Sequence, residues 1–206
     1  MNGALSLNEF KAKVNTMLQQ LPKEMEKVST AIGQTGATLI QERLLKGETA
    51  EGKSLGKYST RPISSLFFIG KSLGSGAEQK VKDYSKKNKG KMSYETFRKL
   101  NGRPTSHVTL SFSGDTLQDI GVIKSTINGN IIITTVGSLD RKKKDIVNSK
   151  GKVVGEQSTG EVLEKLNEKY GSALDTELLA LSKDEEKLIA GIYEQRLQKI
   201  INKYLE

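Results

Sequence analysis

The chain contains one histidine, His107, and it stands beside a serine, Ser106. A serine hydroxyl bonded to an imidazole is the smallest arrangement that activates an oxygen nucleophile. Here the pair leads into Val108-Thr-Leu110-Ser-Phe112, whose alternation of apolar and polar residues predicts a strand. Neighbours on a strand point to opposite faces, so the expectation is an ordinary surface or edge-strand histidine. There is no cysteine, which removes thiol nucleophiles, thiolate zinc sites and disulfides together. No HxH, HExxH or DxDxDG spacing occurs and the carboxylates are dispersed, so no metal site is expected. The reading assigns no catalytic, cofactor-binding or metal-binding residue and no cofactor, and it expects a protein that is not an enzyme.

Two other groups of residues bear on chemistry. Gly70-Lys-Ser-Leu-Gly-Ser-Gly76 has the composition of a phosphate loop. The Gly-x4-Gly-Lys-Ser/Thr spacing fails because position 65 is Ser, and the sequence predicts neither a parallel-type strand before it nor a clear helix after it. A solvated loop is expected. The basic runs are Lys86, Lys87, Lys89 and Lys91, and then Arg141, Lys142, Lys143 and Lys144. Each could neutralise phosphates on a nucleic acid, releasing counterions, or meet an acidic protein partner.

The elements that must carry these residues follow from periodicity. Ser6-Leu-Asn-Glu9 is a capping box, and Phe10, Val14, Met17, Leu18 and Leu21 recur at helical steps behind it. Pro22 either breaks that helix or opens a second one, since Met25, Val28, Ile32, Leu39, Ile40 and Leu44 prolong the apolar face to about Lys46. Gly33 and Gly36 lie inside the pattern and mark close packing. Residues 47–92 lose periodicity and read as a long glycine-punctuated loop, with one apolar patch at Leu66-Phe67-Phe68-Ile69. Tyr94 to Leu100 predicts a short helix, and Ser113-Gly114-Asp115 a turn that caps another through Ile120. Val122 to Ile127 and Asn130 to Val136 flank Asn128-Gly129, the signal of a tight β-hairpin. Residues 137–157 read as a basic loop. Ser158-Thr-Gly-Glu161 and Ser182-Lys-Asp-Glu185 are further capping boxes, each opening a helix, the last with an apolar stripe from Leu188 to Tyr204.

The predicted fold class is α+β: a long N-terminal helix and C-terminal helices packed on a small, mainly antiparallel sheet that contains a hairpin, with long loops. One domain over residues 1–206 is expected, with a loop insertion at about 47–92 and a helical extension at about 182–206. The apolar stripes exceed what a three- or four-stranded sheet can bury, which points to a partner subunit. Charge is unevenly spread, because residues 46–155 hold 21 basic against 9 acidic residues whereas 156–206 hold 7 against 11. Such a field binds polyanions or steers one copy's acidic end toward its neighbour's basic middle. Aromatics are 5% of the chain with no Trp, which disfavours a base-stacking surface or a large ligand pocket. The first ten residues lack a signal-peptide pattern and no run approaches the roughly 18 apolar residues of a membrane span, so the expectation is a protein without membrane contact that stays cytoplasmic unless it leaves inside a particle.

Several segments, taken in order, resemble the virion-morphogenesis and tail-completion family of tailed bacteriophages, small proteins of the head-to-tail neck. The long helix leads into Gly52-Lys-Ser-Leu-Gly-Lys-Tyr58-Ser59, similar to that family's glycine, aromatic and tyrosine junction, with Leu55 in place of the usual aromatic. Tyr94 to Leu117, through Gly102, Arg103, Ser113 and Gly114, resembles its signature of a Tyr/Arg-rich segment, a strand and a Ser/Thr-Gly turn. Leu163 to Gly171 followed by Leu178-Leu-Ala-Leu181 and the last capped helix resembles its ending, although Asp175-Thr-Glu177 replaces the usual aromatic-Pro-Arg segment. The resemblance implies a homo-oligomeric ring between the portal or adaptor and the tail proteins of a virion. It further implies no catalysis and no cofactor, host-cytoplasmic assembly, and non-specific contact of basic loops with DNA passing through the lumen. A basic nucleic-acid-binding accessory protein is the alternative.

Overall fold

A computed structural model describes residues 6–110, 115–128, 131–141, 143–147, 153–171, 174 and 177–205, with the backbone alone at 144–147. The fold is α+β. In order the elements are α1 (Leu7–Lys46), β1 (Ile63–Ser64), a 3-10 turn (Ser65–Phe67), α2 (Ser75–Lys87), β2 (Lys91–Met92), α3 (Tyr94–Leu100), α4 (Asp115–Gln118), β3 (Ile120–Asn128), β4 (Ile131–Ser138), β5 (Lys143–Val147), β6 (Val153–Ser158), α5 (Thr159–Leu166), a π turn (Asn167–Gly171) and α6 (Lys183–Leu205). Among the described residues the strands pair as three two-stranded sheets, β1 with β2, β3 with β4 and β5 with β6, rather than as one three- or four-stranded sheet.

All three capping boxes form. Ser6 N–H donates to Glu9 Oε2 at 2.8 Å and Glu9 N–H to Ser6 Oγ at 3.3 Å. Ser158 and Glu161, and Ser182 and Glu185, repeat the exchange at α5 and α6. Each satisfies two amides that no helical carbonyl can reach. Pro22 does not end α1, which runs through it as one element of 40 residues.

The chain divides into two compact units. The first comprises the residues up to Leu39, Ile120–Gly137 and those from Leu181 on, which is to say most of α1, the β3–β4 hairpin and α6. Its core gathers Met25, Val28 and Ile200, with Leu21, Ile32, Ile132, Leu197 and Tyr204 against them. Lys203 Nζ reaches Glu24 Oε1 at 3.2 Å beside that core. Gly33 lets α1 approach the hairpin, because a Cβ there would stand 2.4 Å from Thr134 Cγ2 and 2.9 Å from Val122 Cγ2. Ser29 Oγ and Thr134 Oγ1 lie 2.6 Å apart in the same contact. The hairpin thus turns Ile132, Thr134 and Val136 inward and leaves Ile123, Ile131 and Ile133 more than half exposed. Gly129 of the predicted Asn128-Gly129 turn, and Asn130 at the start of the predicted second strand, lie outside the described residues.

The second unit, Ile40–Asp119 with Ser138–Ala180, replaces both predicted loops with structure. Residues 47–92 contain α2 and the β1–β2 pair, in register Ile63↔Met92 and Ser64↔Lys91. α2 was hidden because its buried face reduces to Val81, with Tyr84 partly buried, among polar residues. Residues 137–157 contain β5 and β6, paired antiparallel from Lys143↔Ser158 to Val147↔Val153. Lys143 and Lys144 in β5 and Gly155 and Glu156 in β6 masked the strands. The strand predicted from Val108 does not form over 108–110, where Leu110 takes φ 51°, and residues 111 and 112 lie outside the described residues. Val108, Thr109 and Leu110 are buried all the same, with Val108 N–H donating to Gly56 O at 2.9 Å. Leu178 to Ala180, read from the resemblance as strand-like, form a turn.

Two buried arginines organise this unit. Arg43, at the end of α1, donates from Nη1 to Glu48 O and from Nη2 to the carbonyls of Leu178 and Ala180. Arg98 is 1% exposed and donates to Pro104 O at 3.1 Å and Thr109 Oγ1 at 3.2 Å, with its guanidinium 4.2 Å above the Tyr58 ring. Tyr94 edges against Tyr58 at 5.5 Å and bonds Arg98. Burial pushes the Tyr94 phenol up in spite of that cation.

Candidate interaction surface

The apolar patch at 66–69 splits between inside and outside. Phe68 is buried and stacks on Phe97 at 4.8 Å, which anchors the turn in the core formed with Val81 and Met92. Leu66 and Phe67 project outward at 71% and 57% exposure, and Ile63 at 42%. Consecutive side chains on a 3-10 turn diverge by about a third of a circle, so three in a row cannot all face one core. That rule was the available sign that some of this patch would be left facing out.

The backbone that carries the lysines pairs with the base of this knob. Ser64 is the register partner of Lys91, and Ser65 N–H donates to Gly90 O at 2.8 Å, between Lys89 and Lys91. Ser65 and Ser85 hydroxyls meet at 2.6 Å, which joins the knob to the last turn of α2, where Lys86 and Lys87 are exposed. Residues 80–91 carry six lysines and one aspartate. The sequence reading thus separated two features, an apolar patch and a basic run, that the β1–β2 pairing brings together.

The second basic run is dispersed. Arg141 is committed to Asp119, with Nε on Oδ1 at 3.0 Å and its own N–H on the same oxygen at 3.3 Å, while Nη2 donates to Gln118 O. Lys143 starts β5 and stands 3.9 Å from Glu156, both exposed. Lys142 lies outside the described residues, and of Lys144 only the strand backbone is described. Asp119, which the sequence reading passed over, is the centre here. It is 2% exposed and accepts hydrogen bonds from Ser138 Oγ at 3.0 Å and from the Thr159 hydroxyl as well. Burial pushes its carboxyl up, but the bonds from Thr159, Arg141 and Ser138 outweigh burial and hold it below the usual carboxylate range.

Of the signature residues, Gly102 takes φ 66° just after α3, where its N–H bonds Lys99 O and that of Arg103 bonds Arg98 O, so the pair caps a helix end. The Arg103 Nε is buried without a hydrogen-bond partner among the described residues. Ser113 and Gly114 lie outside the described residues.

A cavity of about 210 Å³ opens elsewhere in the same unit, lined by Leu163, Leu179, Ser138, Gly160, Asn167, Glu164 and Glu177. Gly160 N–H donates to Asp140 Oδ1 at 2.7 Å, which sets a third carboxylate at its rim, held below the usual range by that bond.

Ser106 and His107 correct the expectation that they face apart. The chain bends here instead of extending, and Ser106 Oγ lies 2.9 Å from His107 Nδ1. His107 Nε2 lies 3.1 Å from Leu45 O, a carbonyl that can only accept, so the ring donates from Nε2. Leu45 O is among the last carbonyls of α1, which makes His107 a cap for that helix. A Cβ at Gly47, φ 77°, would stand 2.6 Å from His107 Cδ2, so the glycine admits the ring.

The gathered features are a basic apolar knob, an acidic apolar cavity and exposed apolar faces, which are the materials of contact between proteins. Compared with known family models, with curated proteins and with solved structures, the chain finds no match in any of the three.

Proposed function

We propose that the chain is a non-enzymatic structural subunit of the head-to-tail neck of a tailed bacteriophage, forming a ring that joins portal or adaptor to tail proteins during virion assembly. The observation that carries this reading is apolar surface left facing outward. The first turns of α1 present Leu7, Phe10 and Leu18 at 67%, 46% and 57% exposure, ahead of the point where Leu21 joins the core. The hairpin adds Ile123, Ile131 and Ile133, and the second unit adds Leu66 and Phe67. Large apolar side chains left exposed on each unit are the raw material of association sites. The order of segments that resembles the neck family supplies the setting.

The test is complementation. Particles assembled without this chain should accumulate as separate heads and tails, and added purified chain should join them, with the chain then found at the junction by electron microscopy. Full joining in its absence would refute the reading. The six lysines of 80–91 favour a second reading, an accessory protein that binds nucleic acid. That reading requires DNA affinity that falls steeply with salt and disappears when Lys86, Lys87, Lys89 and Lys91 are replaced by Gln.

A further inference from the structure

We infer that the basic knob of one copy docks into the acidic cavity beside α5 of a second copy, which deepens the assembly reading by naming where one subunit meets the next. The knob is Leu66 and Phe67 at the tip, held rigid from beneath by Phe68 on Phe97, with Lys89 and Lys91 beside it through the Ser64↔Lys91 pairing. The occupant must therefore be apolar at its centre and anionic at its rim. The cavity has that form: Leu163 and Leu179 line it, and Glu164, Glu177 and Asp140 surround it. Glu164 and Glu177 are exposed, and neither forms an ion pair among the described residues.

Other apolar faces fit less well. The first turns of α1 set Lys11 and Lys13 against Glu9, whose carboxylate is already bonded to Ser6, and Lys124 is the one charged residue of β3, so both would oppose a lysine collar. Both proposed surfaces belong to the second unit, whose sequence holds 23 basic and 16 acidic residues. Knob and cavity are different patches, so the contact is heterologous. After pairing, one copy keeps a free cavity and the other a free knob, and successive contacts close into a ring or extend as a filament.

Two double variants of the full chain separate this from other occupants. Leu66→Ser with Phe67→Ser removes the knob, and Glu164→Lys with Glu177→Lys reverses the cavity rim; all four residues are exposed, and circular dichroism checks the fold. Light scattering should show the wild type associating, with affinity falling as salt is raised, and each variant alone at least about tenfold weaker. Mixing the variants should restore a single contact, the intact knob of one in the intact cavity of the other. The product is a 1:1 pair and nothing larger.

A wild type that stays monomeric at all concentrations would overturn the inference, as would a knob variant that associates like the wild type or a mixture that fails to pair. Binding of wild type to phosphatidylglycerol vesicles through Leu66 and Phe67, with self-association unchanged in the variant, would assign the knob to a lipid surface and equally overturn it. Joining of heads to tails, scored separately, tests the neck reading and not this contact.

Discussion

Asp119 shows how one carboxylate can hold several segments. It ties the end of α4 to Ser138 at the end of β4, to Arg141 and to Thr159 at the start of α5. Asp119→Ala strands these donors, and a urea titration at pH 7 should show a loss of about 2–3 kcal/mol. The sign of its pH dependence follows from its depressed folded-state pKa. The stabilisation is complete above the unfolded-state value of about 3.9 and is lost as pH falls through the lower folded-state value. The gap between wild type and Asp119→Ala should therefore narrow below about pH 4 and stay constant from pH 5 to 7. Arg98 makes a different demand, because its planar fork bonds Pro104 and Thr109 while its face lies on Tyr58. Lysine keeps the charge and loses both the fork and the stacking. Arg98→Lys should cost about 2 kcal/mol or more in the same titration, and a neutral result would show that charge alone matters there.

Among the elements, α1 offers a comparison within one helix. Gly→Ala in a helix gains about 1 kcal/mol of propensity, while forcing a methyl into a packed contact costs about 1–3 kcal/mol. At Gly33 the new Cβ would meet Thr134 at 2.4 Å, so packing wins and Gly33→Ala should lower the melting temperature. At Gly36 the nearest atom is Ile189 Cδ1 at 3.4 Å, an ordinary contact, so Gly36→Ala should raise it. Both glycines look alike in the sequence, and only the tertiary neighbour separates them. The same limit explains what was legible. Three capping boxes, the hairpin, α3 and α4 rest on local chemistry and could be read directly. α2 escaped because its apolar face is narrow, and β5 and β6 because lysines and glycines dilute their pattern. The Asp119 centre joins residues 119, 138, 141 and 159, a set that no local pattern can reveal. The basic knob was half legible, its parts visible and their union hidden in the β1–β2 register.

For the molecule as a whole, the balance of burial and exposure matters most. The first unit closes a core around Met25, Val28 and Ile200 and leaves α1 from Leu7 to Leu18 without a comparable seat. Leu7, Phe10, Val14, Met17 and Leu21 fall at alternating steps of three and four, the seam of a coiled coil. These are the outer turns of a 40-residue helix, and without a seat in the core around Met25, Val28 and Ile200 they are free to fray. In the free chain the amides of residues 10–18 should therefore trade hydrogen for deuterium within seconds, far faster than those near Val28, as mass spectrometry of short peptides would read. Equal protection in the two places would mean that the seam is already covered. Once a partner seats on it, the same amides should slow by orders of magnitude. The exposed start of α1 then acts as a built-in clock hand, reporting by its own exchange rate whether the subunit is still waiting or already in place.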